Sequence, residues 1–215
     1  MGAPGLTSPI RSETFENLQL NAGIFIKNLN MSSITDVTAL KTAIAAAITA
    51  GTNILGATRG GGSFVARREM RTPQVDGMRY PFVKSDFVDA VEAHLATTLI
   101  EITPDVVLLA LGTATKTVSG KRTTIKMHTA VRDEDYVDSL TWYGDLADGR
   151  MVAITLFNAL NLADFNLSFT DKGEGTLPVE LHARQDDVLS YDEAPFQIDY
   201  FDLPDETSDE TPATT

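Results

Sequence analysis

The chain predicts a mainly β protein of the α+β class, an antiparallel sheet with one or two flanking helices packed outside it. Three observations carry that reading. Seven or eight short segments are apolar, β-branched or alternating. Only two segments combine helical capping with helical spacing. Strands and helices do not alternate as βαβ units require.

The chain of 215 residues suits one domain, expected over 14–203, between an N-terminal arm at 1–13 and an acidic tail at 204–215 that is expected to be disordered. A compact chain of this size buries roughly 70% of its unfolded surface and needs no staples. It has no cysteine, so disulfides and thiolate metal sites are excluded. No apolar run is long enough to span a membrane, and the start lacks the apolar core of a signal peptide. The expectation is a soluble protein made in the cytosol.

Taken in order, Pro4, Gly5 and Pro9 mark the arm. Leu18, Leu20, Ala22 and Ile24 alternate as in a strand, strengthened by Ile24-Phe25-Ile26, and Asn28–Ser33 is loop. Thr35–Ala50 is the clearest helix. Thr35 is the expected cap, Asp36 sits in the first turn and Gly51 lies just past the end. Val37, Leu40, Ile44, Ala47 and Ile48 share one face.

The stretch Gly56–Thr103 is central. Gly60-Gly61-Gly62 reads as a hinge, followed by a short strand and a long polar excursion over about 60–84 that contains Pro73, Asp76-Gly77 and Pro81. A long strand follows from Phe87 to Ile100. Neither of its faces is cleanly polar, so both should be covered, by the core or by another subunit.

Thr103-Pro104 starts a short helix ended by Gly112. Thr113–Ser119 and Arg122–Thr129 flank a turn at Gly120-Lys121. Ser139–Asp145 and Arg150–Phe157 flank Asp148-Gly149 as a hairpin. Asn158–Asn161 reads as a turn or helical piece. Phe165–Thr170 and Thr176–Gln185 are two more strands, with Pro178 placing the latter at an edge or a bulge. Phe196–Phe201 is the last strand.

Chemistry is hard to find. After Gly60-Gly61-Gly62 comes Ser63-Phe64-Val65, without the Lys-Ser/Thr and helix of a P-loop. His94, His128 and His182 each stand alone on a segment, with no i,i+2 or i,i+4 pair to suggest a metal site. Asp133, Glu134, Asp135 and Asp138 lack the spacing of a calcium loop, and Asp133 or Asp135 fits the start of a helical turn. No serine sits in a nucleophile elbow. The expectation is no catalytic, cofactor or metal site, and no enzyme.

Charge is uneven. Residues 1–130 carry +3 and residues 131–215 carry −16, for a net −13. So acidic a second half opposes a grip on nucleic acid. It is either a solvated surface with a tail or a surface that faces DNA without binding it. Arg59, Arg67, Arg68, Arg71 and Arg79 form a basic group, interrupted by Glu69, Asp76 and Asp86. It reads as a contact for an acidic protein neighbour or as a solvated loop.

Several segments carry a family resemblance. The run ILGATRGGGSF, then VDG, then LIEITPDVVLLALG, followed by DEDYVDSLTWYGDLADGRMVAITLFNALN and LPVELHARQD, resembles the tail tube (major tail) proteins of tailed bacteriophages, from about Phe15 to Ile198. The resemblance implies two packed sheets, as a β-sandwich or partial barrel, with a flanking helix and a long inter-strand loop. It implies a structural virion protein whose hexameric rings stack into a tube. Double-stranded DNA crosses the lumen during ejection without specific binding. The other expected partners are tail proteins such as the tape measure and the tail terminator, with no membrane. The place is the virion tail, after synthesis in the host cytoplasm. On this reading Arg59, Phe64, Arg67, Arg68, Arg71, Met78, Arg79, Tyr80 and Phe82 are the expected inter-subunit contacts. The competing class is a discrete β-sandwich binding or adaptor module of a virion or cell surface.

Overall fold

The computed structural model describes residues 14–19, 21–32, 34–51, 53–169, 171–186 and 192–204. The expected arm and all of the expected tail but Pro204 lie outside them. In chain order the elements are β1 (Ile24–Lys27), α1 (Val37–Ala50), β2 (Thr58–Arg71), β3 (Phe87–Leu99), α2 (Pro104–Leu111), β4 (Ala114–Ser119), β5 (Arg122–Met127), a 3₁₀ turn (Asp133–Asp135), β6 (Val137–Asp145), β7 (Met151–Asn161), β8 (Leu177–His182) and β9 (Phe196–Phe201). Every strand pairing is antiparallel. The protein is mainly β with two α-helices, as expected.

β7 joins two layers. Along one side it pairs with β6; along the other it pairs with β9 over Met151–Leu156 and then with β8 at Leu160 and Asn161. One layer is therefore β1-β6-β7-β9 and the other is β2-β3-β8. The handover lies at Asn158, whose φ is 49°. Its side-chain amide donates to Arg184 O and Asp186 Oδ2. The expected turn at Asn158–Asn161 is thus a kink within a continuing strand, at a residue type that tolerates left-handed backbone.

The layers enclose Phe25, Leu140 and Leu156 from the first sheet and Leu95, Leu99, Leu177, Val179 and Leu181 from the second. Val106, Leu109 and Ala110 of α2 join them. The other face of the first sheet is covered by α1. Val37, Leu40 and Ile44 of the helix pack with Ile26, Tyr143, Met151, Ala153 and Phe201. Both faces of β6 and β7 are therefore buried. Between them Thr141 and Thr155 share a buried hydroxyl–hydroxyl hydrogen bond of 2.9 Å, and burial pushes the Tyr143 phenol up to about 12.

The helix ends follow their side chains. Asp36, not Thr35, caps α1: its Oδ1 accepts from Ala39 N at 2.8 Å, and Gly51 closes the helix at φ 63°. Thr103 caps α2 by accepting from Val106 N, with Pro104 next. Ile48, expected on the covered face of α1, is exposed.

Two expected strands change. Of the segment expected over Phe165–Thr170, the described residues 165–169 contribute only a bridge from Ser168 to Thr176. β8 starts at Leu177 and carries Pro178 without losing a ladder bond. Glu180 N donates to the Asn161 side chain, away from β3. The Pro178 nitrogen, two residues earlier, faces the same way.

The largest difference lies after the glycines. β2 runs on to Arg71, so the long loop expected over about 60–84 is confined to 72–86. The glycines form a bulge inside this strand and not a hinge before it. Gly60 and Gly61 have φ near 76° and 75°, and the register slips between Thr58 and Gly62. Gly61 O accepts from Thr97 Oγ1 at 2.8 Å. A Cβ on Gly62 would stand 2.8 Å from Ala96 O, so the strands close here only because the side chain is absent.

Candidate inter-subunit surface

β2 and β3 form one long hairpin, and its two halves differ. Where β3 also pairs with β8, over His94–Leu99, its residues Leu95, Thr97 and Leu99 are buried. Beyond that point, Phe87 to Glu92 and Val65 to Arg71 are exposed. Backbone pairing continues to Arg71 opposite Phe87, so this part is an ordered arm with a tip at 72–86.

The arm is apolar as well as basic. Val65, Met70, Val75, Tyr80, Phe82, Val83, Phe87, Val88 and Val91 are all exposed, Tyr80 and Val83 at 80% and 93%. A monomer gains nothing from such a concentration of apolar surface, and a partner removes it from water at about 25 cal/mol per Å².

Most expected contact residues fall on this arm. Arg67 and Arg68 are exposed in its middle and Arg79, Tyr80 and Phe82 at its tip. Among the described residues these three arginines make no ion pair, so their charge is free for a neighbour. Arg71 is already engaged. Its Nε reaches Asp89 Oδ2 at 3.1 Å, and its guanidinium lies 5.7 Å from the Phe87 ring centroid. Met78 is half-buried in the tip turn, where its N–H donates to Val75 O.

Two expected contacts lie off this arm. Phe64 packs on the protein's own core, its ring 5.3 Å from that of Phe196. Arg59 sits at the root of the hairpin and pairs with Glu174. That hydrogen-bonded guanidinium holds the Glu174 carboxyl below its ordinary range. Both positions were grouped with the arm because the bulge at the glycines cannot be told from a hinge in the sequence. Phe87, Val88 and Val91 depart from the expected cover by the core: both faces of the strand start are exposed in the single chain.

A second surface is recessed. The inner face of the first sheet continues past the core as a row directly across three strands, Trp142 to Ile154 to Ile198. Beside Trp142 and Ile154 the layers part around a cleft of about 500 Å³, lined also by Gln19, Asn21, Phe25 and Gly60–Phe64. Trp142 Nε1 donates to Ala22 O at 2.9 Å. Ile198 and Tyr200 on β9 lie exposed at the outer margin of this face.

The histidines are not all isolated. His94 and His182 stand directly opposite across β3 and β8, beside Glu180. His128 Nε2 approaches Asp135 at 3.2 Å, and the 3₁₀ turn expected near Asp133 or Asp135 forms there. Cross-strand register brings the first pair together, and no local spacing reveals it. Among the described residues, no helix is long and apolar enough to cross a membrane. No protein-family model matches the chain, and no curated protein matches it significantly.

Proposed function

We propose that this chain is a structural, non-enzymatic subunit of a bacteriophage tail tube. It assembles into stacked rings, of sixfold symmetry by the family resemblance, around a lumen that passes double-stranded DNA without binding it specifically. The observation that carries the reading is the ordered arm. It is a β-hairpin with apolar side chains exposed on both faces and three exposed arginines that make no ion pair among the described residues. The recessed row at Trp142, Ile154 and Ile198 supplies a different second surface. Head-to-tail assembly needs two unlike patches on each subunit, whereas a two-fold dimer needs one that is complementary to itself. The charge split between the two parts of the chain favours correct encounter between neighbours.

Negative-stain microscopy of concentrated protein tests this. Rings of six or hollow filaments are expected. Closed dimers alone would overturn it. The cleft beside Trp142 favours one other reading, a discrete binding or adaptor module that takes a ligand between its layers. That module would remain a small oligomer in the same images.

A further inference from the structure

We propose that His94, Glu180 and His182 form a divalent-cation site, suited to zinc, on the outer face of the β2-β3-β8 layer. The three side chains come from two adjacent strands in fixed register. His94 faces His182 directly, and Glu180 precedes His182 by two residues, so all three project from one face. His182 is held between His94 of β3 and Leu160 of β7. The backbone of Glu180 is tied on both sides of its peptide: its N–H donates to the Asn161 side chain and its carbonyl accepts from Leu162 N.

The donor atoms already converge. His182 Nε2 lies 2.9 Å and His94 Nε2 3.7 Å from the same oxygen, Glu180 Oε1. One ligand atom from each residue falls within 4.8 Å of the others. A tetrahedral zinc with bonds of about 2.0–2.2 Å sets its ligand atoms roughly 3.3–3.5 Å apart. The two distances to Oε1 bracket that value, and the histidine ligand atoms lie within 4.8 Å of each other, so side-chain adjustments of about 1 Å or less would close the site. The imidazole rings lie 4.9 Å apart between centroids, tilted by 30°, with both Nε2 atoms on the carboxylate side.

Two imidazoles and one carboxylate suit zinc and leave a fourth position open. The side chains are half-buried, at 24% for His94, 19% for His182 and 41% for Glu180, so that position faces solvent. Glu92 also projects on this face, two residues before His94, with Arg67 opposite it. Arg184 follows two residues after His182 and donates to Ala183 O at 3.0 Å. Binding displaces protons from the ring nitrogens, so affinity falls as pH falls. The inference does not depend on the tube reading, because it rests on register and donor geometry within one subunit.

The test is calorimetric titration of the full, untagged chain with zinc chloride at about pH 7.5, repeated at about pH 5.5. One zinc per chain is expected, with affinity lost at the lower pH. His94→Gln and His182→Gln should each weaken binding at least about tenfold, while His128→Gln leaves it unchanged. Cobalt should bind at the same stoichiometry with the absorption of a tetrahedral centre. Circular dichroism of each variant separates lost ligands from lost fold. If a variant unfolds, Glu180→Gln with the cobalt spectrum replaces it. Absence of saturable binding at millimolar zinc, binding unaltered in both folded histidine variants, or equal binding of magnesium would each overturn the site.

Discussion

Two hairpins of this protein share one hydrogen-bonding pattern and opposite surroundings. β6 and β7 pair from Val137 to Asp145, with one face on the central core and the other under α1. β2 and β3 pair over a comparable length, but beyond Ala93 the arm has neither face covered. The ladder gives order in both. Only burial gives stability, because the net gain from a hydrogen bond exchanged with water is small beside that from apolar area removed from water. The first hairpin therefore holds the fold, and the second presents a surface. This contrast can be broken or sharpened by substitution.

The largest effect is expected inside β7. Leu156 is fully buried and packs between the layers. Leu156→Ala should cost about 2–5 kcal/mol, from lost transfer energy and the cavity left behind. Chemical denaturation would measure it. A cost below about 1 kcal/mol would mean that the layers collapse easily onto each other, and the supposed difference from the arm would shrink.

This buried hairpin was also the more legible of the two in the sequence. Asp148-Gly149 between the apolar runs Ser139–Asp145 and Arg150–Phe157 marks its turn. α1 was legible through its alanines and Gly51, with the cap displaced by one residue because the carboxylate of Asp36 reaches Ala39 N. The length of β2 was not legible. Arg67-Arg68-Glu69 has neither the composition of a strand nor a core to cover, and it is extended because β3 pairs with it. Local propensity yields there to a non-local ladder. The expected contact residues form a group in the sequence through their charge and aromatic content. Phe64 lies off the arm, half-buried against the core beside Phe196.

A smaller effect is expected at the hydroxyl pair. Thr141→Val leaves the Thr155 hydroxyl buried without its partner and should cost about 1–3 kcal/mol. Replacing both threonines with valine should recover much of that loss, since no polar group is then stranded. A double variant as unstable as the sum of the singles would show that shape, and not hydrogen bonding, sets the cost.

Alkali should act on the same covered face. Tyr143 ionises at about 12 in the folded protein because burial opposes its charge, and its hydroxyl contacts Met31 Sδ at 3.2 Å. The ordinary phenol loses its proton near 10. Below that value the protonated phenol suits both states. Between about 10 and 12 the unfolded chain ionises first, so the Tyr143 contribution to stability declines as pH rises. Denaturation midpoints across this range should fall less steeply in Tyr143→Phe. Identical slopes in the two proteins would show that the phenol is not held from water.

The arm should give the smallest effect on folding and the greatest on assembly. Phe82, Val83 and Val88 are each more than half exposed, so polar replacement removes little buried area. Substitutions at such positions fall within about 0.5 kcal/mol of the parent. Phe82→Ser, Val83→Ser and Val88→Thr combined should leave the monomer folded with an almost unchanged denaturation midpoint. Arg67→Glu and Arg68→Glu should do the same while reversing the charge offered to a neighbour. If the arm is the contact between subunits, both variants lose rings and filaments at concentrations where the parent forms them. At higher protein concentration the assembly of the charge variant should respond to salt in the opposite sense from the parent, because attraction to the neighbour has become repulsion that salt screens. The opposite result is equally readable. A fall in stability of several kcal/mol with assembly intact would place these side chains in the protein's own core and remove the distinction between the two hairpins.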